Sequence, residues 1–298
     1  KFFAAFSLVV ILASVIMFTF KGMNLGIDFQ AGSDITLATT EVSEKDLRSD
    51  LKELKLDEVS IDITSSETDI RVSDELKEDE IAEVESYFLE KYNASVDIGV
   101  VSNVVKQDLI KNAIFSIVIS LIGIILYITF RFKFSYGISS VICLVHDALM
   151  MVASVILLRV EANSMFIAAV LAIIGYSINN TIVVFDRVRE NLRKKDKENL
   201  NKEELKDVVN ISIKETMSRS IYTSLTTLLP VIALLVMGSR EILTFNVAMI
   251  VGLIAGTYSS LLLAGWLYVF FASKKKNNNK KRKVVKEVSE KTIKGIND

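Results

Sequence analysis

Six runs of apolar residues, roughly 2–20, 112–130, 136–158, 164–185, 217–237 and 245–271, constrain this 298-residue chain more than any other feature. A helix needs about 20 residues to cross the hydrocarbon core of a bilayer, and backbone in that core must satisfy its own hydrogen bonds. Each run is therefore predicted to be a membrane helix. The first exceeds the usual apolar core of a secretory leader and no small-x-small cleavage site follows it, so it is expected to stay as an anchor. The chain begins at Lys1 without a methionine, which leaves open an upstream segment, a fused partner included.

Between the first two runs the composition changes. Overall, 51% of residues are apolar, the mean hydropathy is +0.40, and 24% are charged. Those charges are segregated: residues 21–108 hold 22 Asp/Glu against 9 Lys/Arg, a net of −13, and residues 274–298 hold 10 Lys/Arg against 3 Asp/Glu, a net of +7. Basic residues also follow alternate spans, with Arg131 and Lys133 after the second, Arg187, Arg189, Arg193, Lys194 and Lys195 after the fourth, and Lys274–Lys276 after the sixth. Positive loops stay in the cytoplasm. The expected topology is a multi-pass protein of the cytoplasmic (inner) membrane with both termini cytoplasmic. It has a first span at 1–20, an extracytoplasmic domain at 21–110, and spans two to six at 111–273 with a cytoplasmic loop at 186–214. A basic tail at 274–298 follows, which anionic lipid, a ribosome or plain anchoring would each explain. The short loops around Arg159–Asn163 and Gly238–Glu241 fall outside with the acidic domain. A helix is expected near Asn201, with Glu204 reaching back to cap it.

The acidic segment is patterned as an α+β domain. Ile35–Thr39 alternates like a strand, and Ser43 is an N-cap candidate for a helix reaching Lys55. Val59–Ile63 and Thr68–Val72 alternate around a turn at Ser65–Glu67, as a hairpin does. Ile81, Val84, Phe88 and Tyr92 recur at helical spacing, and Val96–Val100 supplies a last strand. The order β-α-β-β-α-β predicts a small ferredoxin-like unit. It holds no His or Cys, so no metal site of the nitrogen or sulfur kind is expected, and its acidity disfavours nucleic acid. The lone Cys143 cannot form an internal disulfide.

Polar residues inside the apolar runs carry the chemistry. Tyr176, Ser177, Asn179, Asn180 and Thr181 lie at hydrocarbon depth, where polar side chains face a partner helix or a water-filled path. They are either interhelical glue or an ion relay. His146 and Asp147, near the middle of the third span, are either proton-handling groups or a hydrogen-bonded pair that orders helices. Arg219 opens the fifth span, as a relay partner or as a cation reaching for the interface. Pro230 is expected to kink that span, with Thr226 and Thr227 supplying hydroxyls nearby. Gly252 and Gly256 permit close helix packing. No nucleophile–base pair, metal pattern or phosphate-binding Gly-rich loop is present, so an enzyme is the weakest reading and no cofactor or metal is expected.

Two stretches resemble a known family. Gly175-Tyr-Ser-Ile-Asn-x-Thr181 with Val184-Phe-Asp186-Arg187-Val-Arg189-Glu190-Asn resembles the signature of SecF, membrane subunits of the bacterial Sec protein-export machinery in the resistance-nodulation-division (RND) superfamily. Gly26-Ile-Asp28-Phe29-Gln-Ala-Gly32-Ser, after the first span, is similar to that family's Gly-Ile-Asp-Phe-x-Gly-Gly motif, with Ala31 in place of one glycine. There the glycines are expected to let the chain turn sharply. The resemblance implies an α-helical, six-span RND-like half with one small α+β extracytoplasmic domain. It further implies pairing with a SecD-like subunit, and the polar residues on the inner helices predict that the fourth and sixth spans hold part of that contact. Work would be done beside the SecY-SecE-SecG channel on unfolded preprotein, driven by an ion gradient across the lipid membrane. His-Asp at 146–147 and the arginine at 219 also match the family. Asn180 departs from it, because SecF proteins carry a membrane-embedded aspartate there. An RND transporter half for a lipid or small molecule is the alternative, disfavoured by so small and polar an external domain.

Overall fold

The computed structural model describes residues 2–39, 41–63, 67–132, 134–195, 200–239 and 242–273. Parts of the expected turn at 65–67, the loop residues Lys133 and Glu241, and the tail 274–298 lie outside the described residues. The described chain divides into two compact units. One comprises Met23–Val118 with Arg159–Ile167, and the other holds the remaining helices.

The chain opens with α1 (Phe2–Lys21) and a one-turn helix α2 (Ile27–Gln30). The α+β unit follows as β1 (Gly32–Leu37), α3 (Glu44–Glu53), β2 (Glu58–Ile63), β3 (Thr68–Val72), α4 (Glu78–Tyr92) and β4 (Val96–Val101). Its sheet is antiparallel throughout, in the order β2-β3-β1-β4. The two β-α-β halves therefore interleave, and β1 lies inside the sheet. Ile35 pairs with Ile70 on one side and Ile98 on the other. Strand alternation sends Ile35, Leu37, Ile70 and Val72 into one core with Leu47, Leu51, Val84 and Phe88 from the two helices. Ser43 does stand at the N-cap of α3, though its side chain makes no cap bond. Asn93, left-handed at φ 50°, ends α4.

A polar latch joins α3 to α4. Buried Asp50 accepts from the Tyr92 hydroxyl at 2.5 Å, the Tyr87 hydroxyl at 3.3 Å and the Lys91 ammonium. The bond to Asp50 raises the Lys91 pKa above the ordinary lysine value. Burial, and then Asp50, raise the Tyr92 phenol.

Among the described residues, six helices are long and apolar enough to cross a membrane. After α1 come α5 (Asn103–Arg131), α6 (Phe134–Leu158), α7 (Ser164–Lys194), α8 (Lys202–Met237) and α9 (Leu243–Tyr258). Past α9 a π-helical turn (Ser259–Leu263) interrupts the last span, which continues to Ser273. Of residues 186–214, read from sequence as a loop with a helix starting near Asn201, the described ones lie mostly in helix: α7 runs on to Lys194 and α8 begins at Lys202 behind its Asn201 cap. The polar ends of α7 and α8 are rich in Glu, Lys and Arg, which propagate helix well, and Asn201 and Glu204 cap α8 reciprocally at 2.8 Å each. Pro230 does not interrupt α8. The hydroxyls of Thr226 and Thr227 donate to the Thr223 carbonyl at 2.9 and 3.0 Å rather than to the carbonyl that the proline frees.

Candidate functional site

The middle of α6 carries the chemistry. His146 and Asp147 are adjacent, so their side chains leave the helix about 100° apart. Asp147, 1% exposed, accepts three bonds. They come from His146 Nδ1 on Oδ1 at 2.9 Å, and from the Ser177 and Ser259 hydroxyls on Oδ2 at 2.5 and 2.9 Å. Stripping a carboxylate of water is tolerable only with such donors. The other imidazole nitrogen, Nε2, lies 2.9 Å from Ser7 Oγ and 3.0 Å from the Tyr258 hydroxyl, which themselves meet at 2.6 Å. The chain Ser7–Tyr258–His146–Asp147–Ser177–Ser259 therefore joins α1, α6, α7 and the last span.

Two local features let these groups meet. Gly256 brings the last span against α7, since a Cβ there would stand 3.2 Å from Ser177 Cβ and 3.5 Å from Asp147 Oδ2. The π-turn then places Ser259 on Asp147 while Ser260 reaches Thr181, hydroxyl to hydroxyl, at 2.8 Å. Single π-turns cluster at functional sites because they re-aim side chains without ending a helix. Other membrane hydroxyls, such as Ser139, Ser140 and Ser154, merely donate to carbonyls of their own helix. The network also accepts either protonation state of His146. In neutral imidazole Nε2 accepts a hydrogen bond from the Tyr258 hydroxyl, and in imidazolium it donates to Ser7 or Tyr258. Either state thus leaves the polar groups around Nε2 paired.

The signature block of α7 splits into three parts. Tyr176 donates to Ser224 at 3.1 Å, and Ser224 meets Thr257 at 2.6 Å, tying α7 to α8 and α9. Gly175 and Asn179 are exposed on another face. Asn180 is 3% exposed, and its amide nitrogen has no partner among the described residues. The charged end forms ion pairs. Asp186 meets Arg131 at 3.4 Å, and Arg187 meets Glu190 and Glu215 at 2.7 Å each. Arg189 is half-buried. Arg219 is exposed on α8, and its guanidinium makes no hydrogen bond or ion pair among the described residues. Gly252 and Gly256 pack inside the chain, not on an outward face: a Cβ on Gly252 would meet Ile173 at 2.6 Å and Met151 at 2.9 Å.

In the motif after the first span, Gly32 alone has the backbone that glycine favours, at φ 118°, and a Cβ there would stand 2.3 Å from the Val72 carbonyl. Gly26 has an ordinary φ of −73° and lies close to residues 161–163 instead. Phe29 is half-buried. Sequence reasoning missed Ser7, Tyr258, Ser259 and Ser260; the one available signal was a pair of serines in an otherwise apolar run.

Residues 82–274 match the C-terminal domain of the protein export membrane proteins SecD and SecF, and residues 16–41 match the SecD/SecF GG motif. The chain belongs to the SecD/SecF family. It is 37% identical to the protein translocase subunit SecDF of Bacillus subtilis over 276 residues, which cover 90% of this chain and 37% of that protein. Against the protein translocase subunit SecF of Sebaldella termitidis it is 37% identical over 273 residues, 87% of this chain and 85% of the relative. The crystal structure of SecDF, a translocon-associated membrane protein from Thermus thermophilus, superposes with a TM-score of 0.81 at 34% identity, covering 91% of this chain and 37% of that one. The chain thus spans just over a third of the SecDF proteins and most of the single SecF chain.

Proposed function

We propose that this chain is a SecF-type auxiliary subunit of the Sec translocase. It lies in the cytoplasmic membrane with both termini inside and the α+β unit outside. There it pairs with a SecD-like half beside the SecY-SecE-SecG channel and uses an ion gradient to help unfolded preprotein leave. Asp147 carries the reading: a carboxylate in the middle of a membrane helix, held by donors from three elements, in a chain of a protein-export family. Ionisable groups at that depth are expensive and mark ion paths.

Asn180 cannot take up or release a proton in the physiological range. Ion uptake is therefore assigned to an acidic residue of the partner, with Arg219, exposed on α8, opposite it and His146 and Asp147 tuning the response. The test is export of a secreted reporter at several external pH values, in cells whose only copy of this gene carries Arg219→Leu, Asp147→Leu or Asn180→Asp. The first two should impair export strongly. The third should be tolerated and steepen the dependence on external pH. Export indifferent to Arg219→Leu and Asp147→Leu, or a purified chain that brings no SecD-like subunit with it, would sink the assignment.

A further inference from the structure

The Gly26–Asp28 motif does more than turn the chain towards β1. Everything it touches belongs to the α+β unit, which includes the first turn of α7. Leu25 and Ala162 form a parallel bridge. The Gly26 N–H donates to the Ala162 carbonyl, and the Ala162 N–H to the Asn24 carbonyl, both at 2.8 Å. The fit at Gly26 is close: a Cβ would stand 3.1 Å from Asn163 Cβ and 3.3 Å from the Ala162 carbonyl, and would displace the Glu161 carboxylate from 2.5 Å. Beside this bridge Arg71, from β3, donates Nη2 to Glu161 at 2.5 Å and Nη1 to the Leu25 carbonyl at 3.3 Å. Its side chain is 8% exposed, so this is a shielded, charge-assisted bond.

Asp28 completes the arrangement. Its Oδ2 accepts from the Ser164 backbone N–H at 2.7 Å and from the Ser164 hydroxyl at 2.5 Å. Ser164 is the first residue of α7. Asp28 thus caps a membrane helix from 136 positions away, where a carboxylate also meets the positive end of the helix dipole. The local residue in the capping position, Asn163, does not do this: its buried Oδ1 has no partner among the described residues.

Resting on the ion-coupled reading, we propose that this clasp is the joint through which displacement of α7 reaches the sheet of the α+β unit, with Asp28 as its positioning residue. α7 is a single helix of 31 residues that carries Tyr176, Ser177 and Thr181 in its middle, so it transmits an axial shift to its own first turn. The bridge and Arg71 hold the loop before that turn, and among the described residues Asp28 is the side chain hydrogen-bonded to the helix end. From Asp28 the chain runs through Ala31 and Gly32 directly into β1, which is hydrogen-bonded on both edges. A pull on Ser164 therefore arrives inside the sheet rather than being absorbed by a loop.

The experiment uses the full chain with its SecD-like partner in vesicles, with Cys143→Ala and spin labels at Glu90→Cys and Met237→Cys. The label distance is read with and without an imposed ion gradient, alongside reporter export in cells. Asp28→Asn keeps an acceptor for Ser164 and should retain both signals. Asp28→Leu should lose both while partner copurification and melting temperature hold. Should Asp28→Leu fail to fold, Ser164→Pro serves instead: it removes both donors at a position where proline suits a helix start, and it should lose both signals. A gradient-dependent distance change that survives the loss of the cap overturns the joint. Equal loss in Asp28→Asn and Asp28→Leu overturns the capping account. No change in wild type refutes the ion-coupled reading, and the joint with it.

Discussion

Ala31 occupies a backbone conformation that alanine should not tolerate, at φ 67° and ψ 168°. An L-residue there costs of order 1–3 kcal/mol, because the region is essentially reserved for glycine. Ala31→Gly releases that strain. Against it stand the extra freedom of glycine in the unfolded chain, about 0.5–1 kcal/mol, and a fraction of the roughly 0.8 kcal/mol carried by one buried methyl-sized group, since Ala31 is only half-buried. The net expectation is stabilisation of the α+β unit by about 1 kcal/mol, which for a unit of this size is a shift of about 4–8 °C. Gly32→Ala is the opposing control. Its φ is 118° and its new Cβ would lie 2.3 Å from the Val72 carbonyl, so it should destabilise by several times that amount, on the order of 3 kcal/mol or more. Hydrogen exchange of the β1 amides in the detergent-solubilised protein reports the opening free energy of this unit separately from the membrane helices. A neutral or destabilising Ala31→Gly, with Gly32→Ala tolerated, would refute the strain.

Gly252→Leu should destabilise the helical unit by about 1–3 kcal/mol through overpacking against Ile173 and Met151, measured as resistance to denaturing detergent. It should do so without selectively weakening partner copurification. Ser177→Ala takes one charge-assisted bond from buried Asp147 and should cost about 1–3 kcal/mol in the same assay; an unchanged transition would mean that Asp147 is not held there. The α3–α4 latch fixes a pH dependence. Lys91 and Tyr92 both have folded-state pKa values raised above their unfolded ones. Their contribution is therefore complete below about pH 10 and is lost as pH rises through the folded values. Exchange protection of α4 should be flat in this respect from pH 6 to 9 and fall above about pH 10, and Lys91→Met should reduce that fall.

What was legible in the sequence follows from period and depth. Ile35, Ile70 and Ile98 alternate with polar neighbours, so their strands could be read directly, as could the helical spacing of Val84 and Phe88. His146 and Asp147 stood out because an ionisable pair in an apolar run is costly. Their partners did not, because Ser7 and Ser259 lie 139 and 112 positions away and reach them only through close helix packing at Gly256 and an extra residue in the π-turn. The clasp was invisible for the same reason: Asp28 stood out as part of the motif after the first span, but its partner Ser164 lies 136 positions away. The charged end of α7 was misread as loop because charge, not apolar period, marks it, as in the pair of Arg187 with Glu215, whereas the start of α8 was legible from its Asn201–Glu204 capping box.

The proposed role asks the Asp147 seam to be neither too firm nor too loose. Three donors from His146, Ser177 and Ser259 converge on one carboxylate, and moving the last span or α7 removes at least one of them. Losing a bond to a buried charged group costs about 1–3 kcal/mol. One elementary charge falling through 100 mV delivers about 2.3 kcal/mol. The two quantities are of the same order, so in the proposed role a single ion crossing would be enough to exchange one hydroxyl for another on Asp147. The apolar contacts behind the seam, such as Ile173 against Gly252, keep the helices adjacent while that exchange occurs. Hydroxyl bonds between membrane helices average well under 2 kcal/mol each, so a seam of serines can be re-made in a second register, whereas a seam of interlocked leucines would hold only one. Serine at 7, 177, 259 and 260 is thus the residue type that suits the movable contact the proposed role asks for between α1, α6, α7 and the last span.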